Sequence, residues 1–344
     1  MRSWKTGMIA VIGGVTLGLL LTTASTSHAA GESAAQFYKD KTITWIVASR
    51  AGGPTDLLAR ILAPVLAKET GAKVRVENMG SEEGVNWVYN QGSKDGLTML
   101  CKSTDAIVNN DLLKAPGVQY EAEKYLYIAD IGPDANMLFV TAKSKYQSLD
   151  DLRKAKGLKL GATSAKGSLS TNGAVALEIL GLDAKVITGY RGAKGVVQAM
   201  LTGEVELIVI RASALSAQVK SGDLRGLFSI AAVRSGALPD VPTLEEIGVK
   251  VPPELEDARS ASDVGGTTAA MPPGVPPERV EYMRALFDKM SQDKGVQANM
   301  EKLTGLYSPF IPGKKLQASM TRMKANKVLG KQLGDILAKY RTSK

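Results

Sequence analysis

The sequence predicts an α/β protein built as two domains, and three observations carry that reading. Short β-branched or apolar runs alternate with longer helical patterns along most of the chain. The loops between them are short and rich in Gly, Ser and Thr, which argues for parallel sheets covered by helices. Behind an N-terminal leader about 314 residues remain, room for two domains of ~150 residues, and 44% of the chain is hydrophobic, enough for a sizeable core.

The leader comes first. Arg2 and Lys5 precede an uncharged apolar stretch from Met8 to Leu21, and small residues surround Ser27-His28-Ala29. This predicts a secretory signal peptide over residues 1–30, cleaved near Ala29 or Ala30. A membrane anchor needs about 20 apolar residues, more than this run supplies. The mature chain is expected outside the cytoplasm. His28, the only histidine, would be lost with the leader or lie beside the cut, which disfavours Ser-His-Asp hydrolysis and most zinc chemistry. No metal site or cofactor is expected. Cys101 is the only cysteine, so no intramolecular disulfide can form. It sits in an apolar run and reads as a buried strand residue. The formal net charge is +9, falling to +7 without Arg2 and Lys5. The excess is spread out, which suits anionic ligands and gives nucleic-acid binding little support.

Thr42 to Ala48 reads as a strand, and Asp56 to Lys68 as a helix with Leu57, Leu58, Ile61, Leu62, Val65 and Leu66 on one face. Pro64 should bend this helix and Gly71 end it. Val74–Val76, Leu97–Cys101, Leu138–Val140, Lys159–Gly161, Val186–Ile187, Leu207–Ile210 and Leu227–Ile230 read as further strands. Helices are expected from the Ser148 cap, over Asn172–Leu180 and over Gly195–Thr202. Thr243-Leu244-Glu245-Glu246 matches a capping box. Residues 251–277, dense in Pro and Gly, read as loop, and Pro277–Met290 and Lys314–Tyr340 as amphipathic helices.

Four loops at strand ends could carry chemistry. In Ser49 to Asp56, Gly52 and Gly53 would let backbone N–H groups approach a ligand ahead of a helix N-terminus, a cradle of carboxylate size. The loop is neither a P-loop nor G-x-G-x-x-G. Gly161 to Asn172 supplies hydroxyls, one lysine and two glycines between strand and helix. Together the two loops suggest a ligand held between two helix N-termini in a cleft. Lys102-Ser103-Thr104-Asp105 and Tyr190-Arg191-Gly192-Ala193 also follow strands. Arg50 and Arg211 each follow a strand, and arginine binds carboxylates through paired hydrogen bonds.

In order along about 200 residues, several segments resemble one family. They are Ala51-Gly52-Gly53-Pro54-Thr55-Asp56 with Leu58-Ala59-Arg60, Val76-Glu77-Asn78, Asp95 to Leu100, Gly161 to Ser170, Tyr190-Arg191-Gly192 with Ala199 to Glu206, and Leu238 to Gly248. Together they resemble the tripartite tricarboxylate transporter receptors, the Bug-type periplasmic binding proteins. The resemblance implies a two-lobed periplasmic Venus-flytrap fold (type II-like) with two crossovers. Lobe 1 would comprise 31–133 plus 232–344, and lobe 2 134–231. It implies a monomeric, non-enzymatic receptor that captures a small carboxylate (a di- or tricarboxylate, an aromatic acid or similar) and docks transiently on membrane transporter subunits.

Site residues carried over are Ala51, Gly52, Gly53 and Asp56 from one lobe, and Thr163, Ser164, Ser168 and Ser170 from the other. Asp56 is expected to act indirectly by capping a helix. Arg50, Ser103, Thr104, Tyr190, Arg191 and Arg211 complete the candidate set. The chain departs from the family pattern at Ser49-Arg50, Lys102, Glu206 and 259–271, which bears on ligand identity. Extra arginines near the pocket would suit a second anionic group. Two other functions use the same residues: a ligand-sensing receptor for a two-component system, and a secreted serine-dependent hydrolase using Ser168 or Ser170 with Lys166 as base. The hydrolase lacks a G-x-S-x-G elbow.

Overall fold

The first sheet holds six strands in the order β11-β4-β10-β3-β1-β2. These are β1 Thr42–Val47, β2 Lys73–Asn78, β3 Thr98–Ser103, β4 Leu126–Ile131, β10 Thr267–Met271 and β11 Ile311–Pro312. Between β4 and β10 the chain builds β5 Asn136–Thr141, β6 Leu158–Gly161, β7 Ala184–Ile187, β8 Ile208–Arg211 and β9 Leu224–Ser229. Of these, β8, β5 and β9 form an antiparallel sheet and β6 pairs with β7. A parallel bridge from Leu160 to Leu207 joins the two groups. The chain thus leaves the first sheet after Ile131 and returns to it at Thr267. The computed structural model describes residues 33–263, 265–305 and 307–342, and Ala34 onward belongs to one compact unit. The predicted leader and His28 lie outside the described residues. Among those residues no helix is long and apolar enough to cross a membrane.

The expectation of parallel sheets holds only in part. β1 runs parallel to β2 and β3, but β10 runs antiparallel between β3 and β4. The loop expected over 251–277 is also corrected, because it contains the helix Glu256–Asp263 and the fully buried strand β10. Thr267-Thr268-Ala269-Ala270-Met271 has little of the aliphatic β-branching that marks a strand, and glycines and prolines flank it. Its small side chains suit a strand paired on both sides. Gly266, just ahead of it, has no room for a side chain: a Cβ there would lie 1.8 Å from Asp130 Oδ1.

The helix Pro54–Thr70 begins with Pro54 in its first turn and ends at Gly71, whose φ of 68° is left-handed. Pro64 is accommodated inside it. Leu58, Leu62 and Leu66 are buried while Leu57 is exposed, so the apolar face is narrower than the periodicity predicts. The Ser148 cap forms as a reciprocal box with Asp151. Thr243 and Glu246 also bond reciprocally, but they close a turn rather than open a helix. At the C-terminus the helices are Pro277–Gln292, Lys294–Thr304, Gly313–Ala325 and Leu329–Tyr340, with a break at 326–328 inside the segment expected to be continuous.

Candidate functional site

Strands of both groups end on one cavity of about 560 Å³. Past those ends, four helices start at its wall. Pro54 and Thr55 belong to the helix after β1, and Ser103 and Asp105 to the start of Thr104–Leu112 after β3. Ser168 and Leu169 open Ser168–Leu180 after β6, and Ser213 and Ala214 open Ala212–Lys220 after β8. Each helix start presents the positive end of a helix dipole, and the four together favour anions, although the Thr104, Ala106, Ala212 and Ser213 amides are already bonded within the protein. Leu57, Ile210 and Leu303 supply apolar wall, the last from the C-terminal helix Lys294–Thr304.

Arg211, the last residue of β8, is the cationic side chain on this wall. Its Nη2 donates to Ser103 Oγ at 3.0 Å, to the Gly266 carbonyl at 3.0 Å and to Asp105 Oδ1 at 3.4 Å. Asp105 Oδ1 also accepts the Ser103 hydroxyl and the Ala106 amide. Behind this layer Thr104 Oγ1 donates to Asp130 Oδ1 at 2.9 Å. Burial pushes the Asp130 carboxyl up to about 7, against the opposing pull of the Thr104 hydrogen bond and the Arg211 charge.

Of the fourteen residues expected from sequence, Gly52, Ser103, Ser168 and Arg211 line the cavity. Gly52 has a φ of 72°, which suits only glycine. Its amide donates to Asp56 Oδ2 at 2.7 Å, and the Gly53 amide to the Arg50 carbonyl at 3.2 Å, so both are engaged within the loop. Asp56 is buried and also accepts from Arg60 and Asn78. These hydrogen bonds hold its carboxyl below its ordinary value despite burial. Arg50 and Ala51 are exposed, off the cavity wall. Thr104 is fully buried.

On the second loop Thr163 is half-buried, Ser164 is exposed, and the buried Ser170 donates to the Ser164 carbonyl at 2.5 Å. The Tyr190 hydroxyl donates to Glu204 at 2.8 Å, and burial with that carboxylate raises its pKa to about 12. Arg191 is exposed. Lys166 faces a different cavity, shared with Arg341 and the helix Leu329–Tyr340. Among the described residues no cluster of three or more His, Cys, Asp or Glu could hold a metal.

The wall also includes Asp105 and Asn172, which end two of the candidate loops but are not in the expected contact set, and Asn136 and Ser213, to which no motif points. Asn172 becomes visible once the helix is known to start at Ser168, since positions i and i+4 share a face. Asp105 follows Ser103-Thr104 directly and was open to sequence reading as the next residue of the same loop.

Comparison with known proteins places this geometry. The family model described as "Tripartite tricarboxylate transporter family receptor" matches residues 58–291. Protein BugT of Bordetella pertussis is 29% identical over 239 residues, spanning 67% of this chain and 72% of its own. The solved TctC solute-binding protein from Polaromonas superposes with a TM-score of 0.71 at 23% identity, over 87% of this chain and 99% of that one. R. palustris Rpa4515, solved with adipate, superposes with a TM-score of 0.67 at 18% identity, over 88% of this chain and 99% of its own. The structural likenesses establish the fold.

Proposed function

The chain belongs to the tripartite tricarboxylate transporter receptor family, and from that premise we propose that it is an extracytoplasmic receptor that closes on a small carboxylate and delivers it to a membrane transporter. The observation that carries this reading is the convergence of four helix N-termini and Arg211 on one cavity of about 560 Å³. That is an electrostatic environment built for a carboxylate, at the carboxyl ends of strands where open α/β folds bind ligands. The adipate bound by Rpa4515 supports the ligand class.

The lobes would be 31–133 with 232–344, and 134–231. The single excursion of the chain from the first sheet between Ile131 and Thr267 supports this division. Ligand would bridge the two strand groups and close them about the connections near residues 132–135 and 230–266. Gly52, Ser103, Ser168 and Arg211 are the expected ligand contacts, with Asp56 holding the Gly52 loop in shape. The closed form would dock as a monomer on its transporter in the periplasm. Binding without turnover is the expected chemistry: the Ser170 hydroxyl is committed to a carbonyl, and Lys166 lines the other cavity.

A thermal-shift screen of residues 31–344 against mono-, di- and tricarboxylates tests the reading. A ligand at 100 times its Kd should add about 2.7 kcal/mol of stability. Failure of every carboxylate to raise the melting temperature, with no acid released on denaturing the purified protein, would overturn it.

A further inference from the structure

Lys166 belongs to a second cavity, of about 570 Å³. It is bounded by Leu113 at the end of Thr104–Leu112, by Ala165 and Lys166 of the second loop, and by the last helix Leu329–Tyr340 with Arg341 and Thr342 behind it. Ser168, two residues after Lys166, lines the first cavity, so one loop separates the two. That loop is braced: the Ser170 hydroxyl donates to the Ser164 carbonyl at 2.5 Å, and the Gly189 amide to the Thr163 carbonyl at 3.3 Å. Arg341 is anchored as well, by a parallel bridge to Val186 of β7.

The charge on this second wall is one-sided. Lys166 and Arg341 line it, and no carboxylate does. Neither makes an ion pair among the described residues, whereas the two lysines within the last helix, Lys331 and Lys339, pair with Asp335 and Glu178, each at 2.6 Å. Lys331, Asp335 and Glu178 line a different cavity. The segment thus keeps its balanced charges on one side and leaves two cations uncompensated on the other. The floor between those cations is apolar, with Leu113, Leu337 and Ala338. It also holds a glycine that packing does not require. A Cβ on Gly330 would lie 2.3 Å from the Leu112 carbonyl, but a Cβ on Gly334 would meet nothing within 4 Å. Glycine inside a helix is destabilising relative to alanine, and here its effect is to keep the cavity floor open.

We propose that this second cavity binds a small organic dianion, its two negative charges met by Lys166 and Arg341 and its apolar body seated on Leu113, Leu337 and the open side of Gly334. A monoanion would leave one cation unbalanced, and a bare inorganic ion would leave the apolar floor uncovered. The arginine fork and the lysine ammonium serve phosphate and carboxylate alike, so the recognised chemistry is a pair of negative charges on one compact body. The site is independent of the ligand that fills the first cavity.

The test is calorimetric titration of residues 31–344, above neutral pH, with phenyl phosphate and phthalate as dianions, and with benzoate and inorganic phosphate as controls that lack one charge or the apolar body. At least one dianion should bind more tightly than both controls, and which of the two binds better separates a phosphate monoester from a dicarboxylate. Lys166→Gln and Arg341→Gln should each weaken that dianion roughly tenfold. Gly334→Leu, which fills the floor, should abolish its binding, while Gly334→Ala should melt no lower than the parent and so show that the helix accepts a side chain there. Arg211→Ala, in the first cavity, should leave its affinity within about twofold. The inference falls if neither dianion outbinds the controls, or if Lys166→Gln and Arg341→Gln leave the binding unchanged.

Discussion

Arg211 Nη2 lies 3.0 Å from Ser103 Oγ, a bond that runs from the end of β8 to the end of β3 and so ties the second strand group to the first across the cavity. The same nitrogen reaches the Gly266 carbonyl, which also accepts the Thr104 amide. Three segments far apart in sequence therefore meet at one guanidinium. Arg211 is also the wall's cation, so the group expected to bind ligand is the group that joins the strand groups.

Replacing Arg211 with alanine should weaken binding of the preferred carboxylate roughly 10- to 150-fold, the range for losing hydrogen bonds to a charged group. Arg211→Lys should recover only part of this. A single ammonium cannot serve Ser103, Gly266 and a ligand carboxylate with the geometry of a planar fork. Titration calorimetry on both variants checks the order.

The raised Asp130 carboxyl predicts a specific dependence of stability on pH. Its ordinary value is 3.8 and its folded value about 7, so between these pH values the folded chain holds a proton that the unfolded chain has released. The stabilisation linked to that proton is complete below pH 3.8 and is lost as pH rises through about 7. The gap corresponds to roughly 4 kcal/mol at most. Asp130→Asn stays neutral and keeps an acceptor for Thr104. It should melt higher than the parent at pH 8 and close to the parent at pH 4, a difference read from melting curves across that range.

Gly266→Ala should destabilise the fold by about 1–3 kcal/mol, because the new methyl falls on Asp130 Oδ1 at 1.8 Å and the buried carboxyl has to move. Shortening the obstacle in the double variant Gly266→Ala, Asp130→Ala should make the two effects non-additive, with the pair less damaging than the sum. Urea denaturation of the parent, both single variants and the double variant measures this.

The strands that sequence shows best are those with long aliphatic runs: β1, β3 and β8 stand out, as does the helix after β1. β10 does not. Its threonines and alanines earn their place through neighbours on both sides, which is information held by β3 and β4 rather than by residues 267–271. β4 was hidden too, its Leu126-Tyr127-Ile128 run following a polar stretch without a turn signal. The site divides along the same line. Gly52, Ser168 and Arg211 were visible because each follows a strand and has chemistry of its own. Asp105 and Asn172 end two of the loops named from sequence but were not picked out as contacts, because their place on the wall depends on where the following helices begin. The helix Ser168–Leu180 also begins four residues earlier than its apolar pattern, at a Gly-Ser step that reads as loop.

β10 has a consequence for how the chain is made. Its place between β3 and β4 is filled only once the ribosome has passed residue 271, some 140 residues after β4 has emerged. Until then β3 and β4 cannot be joined, and each presents an unpaired edge in the middle of what will become one sheet. The three strands of the antiparallel sheet β5, β8 and β9 end at Ser229, although Ser229 also bridges to Thr243, and Ala237 and Leu238 join the core beneath them. Any product cut short ahead of Thr267 keeps open edges on β3 and β4 available for aggregation.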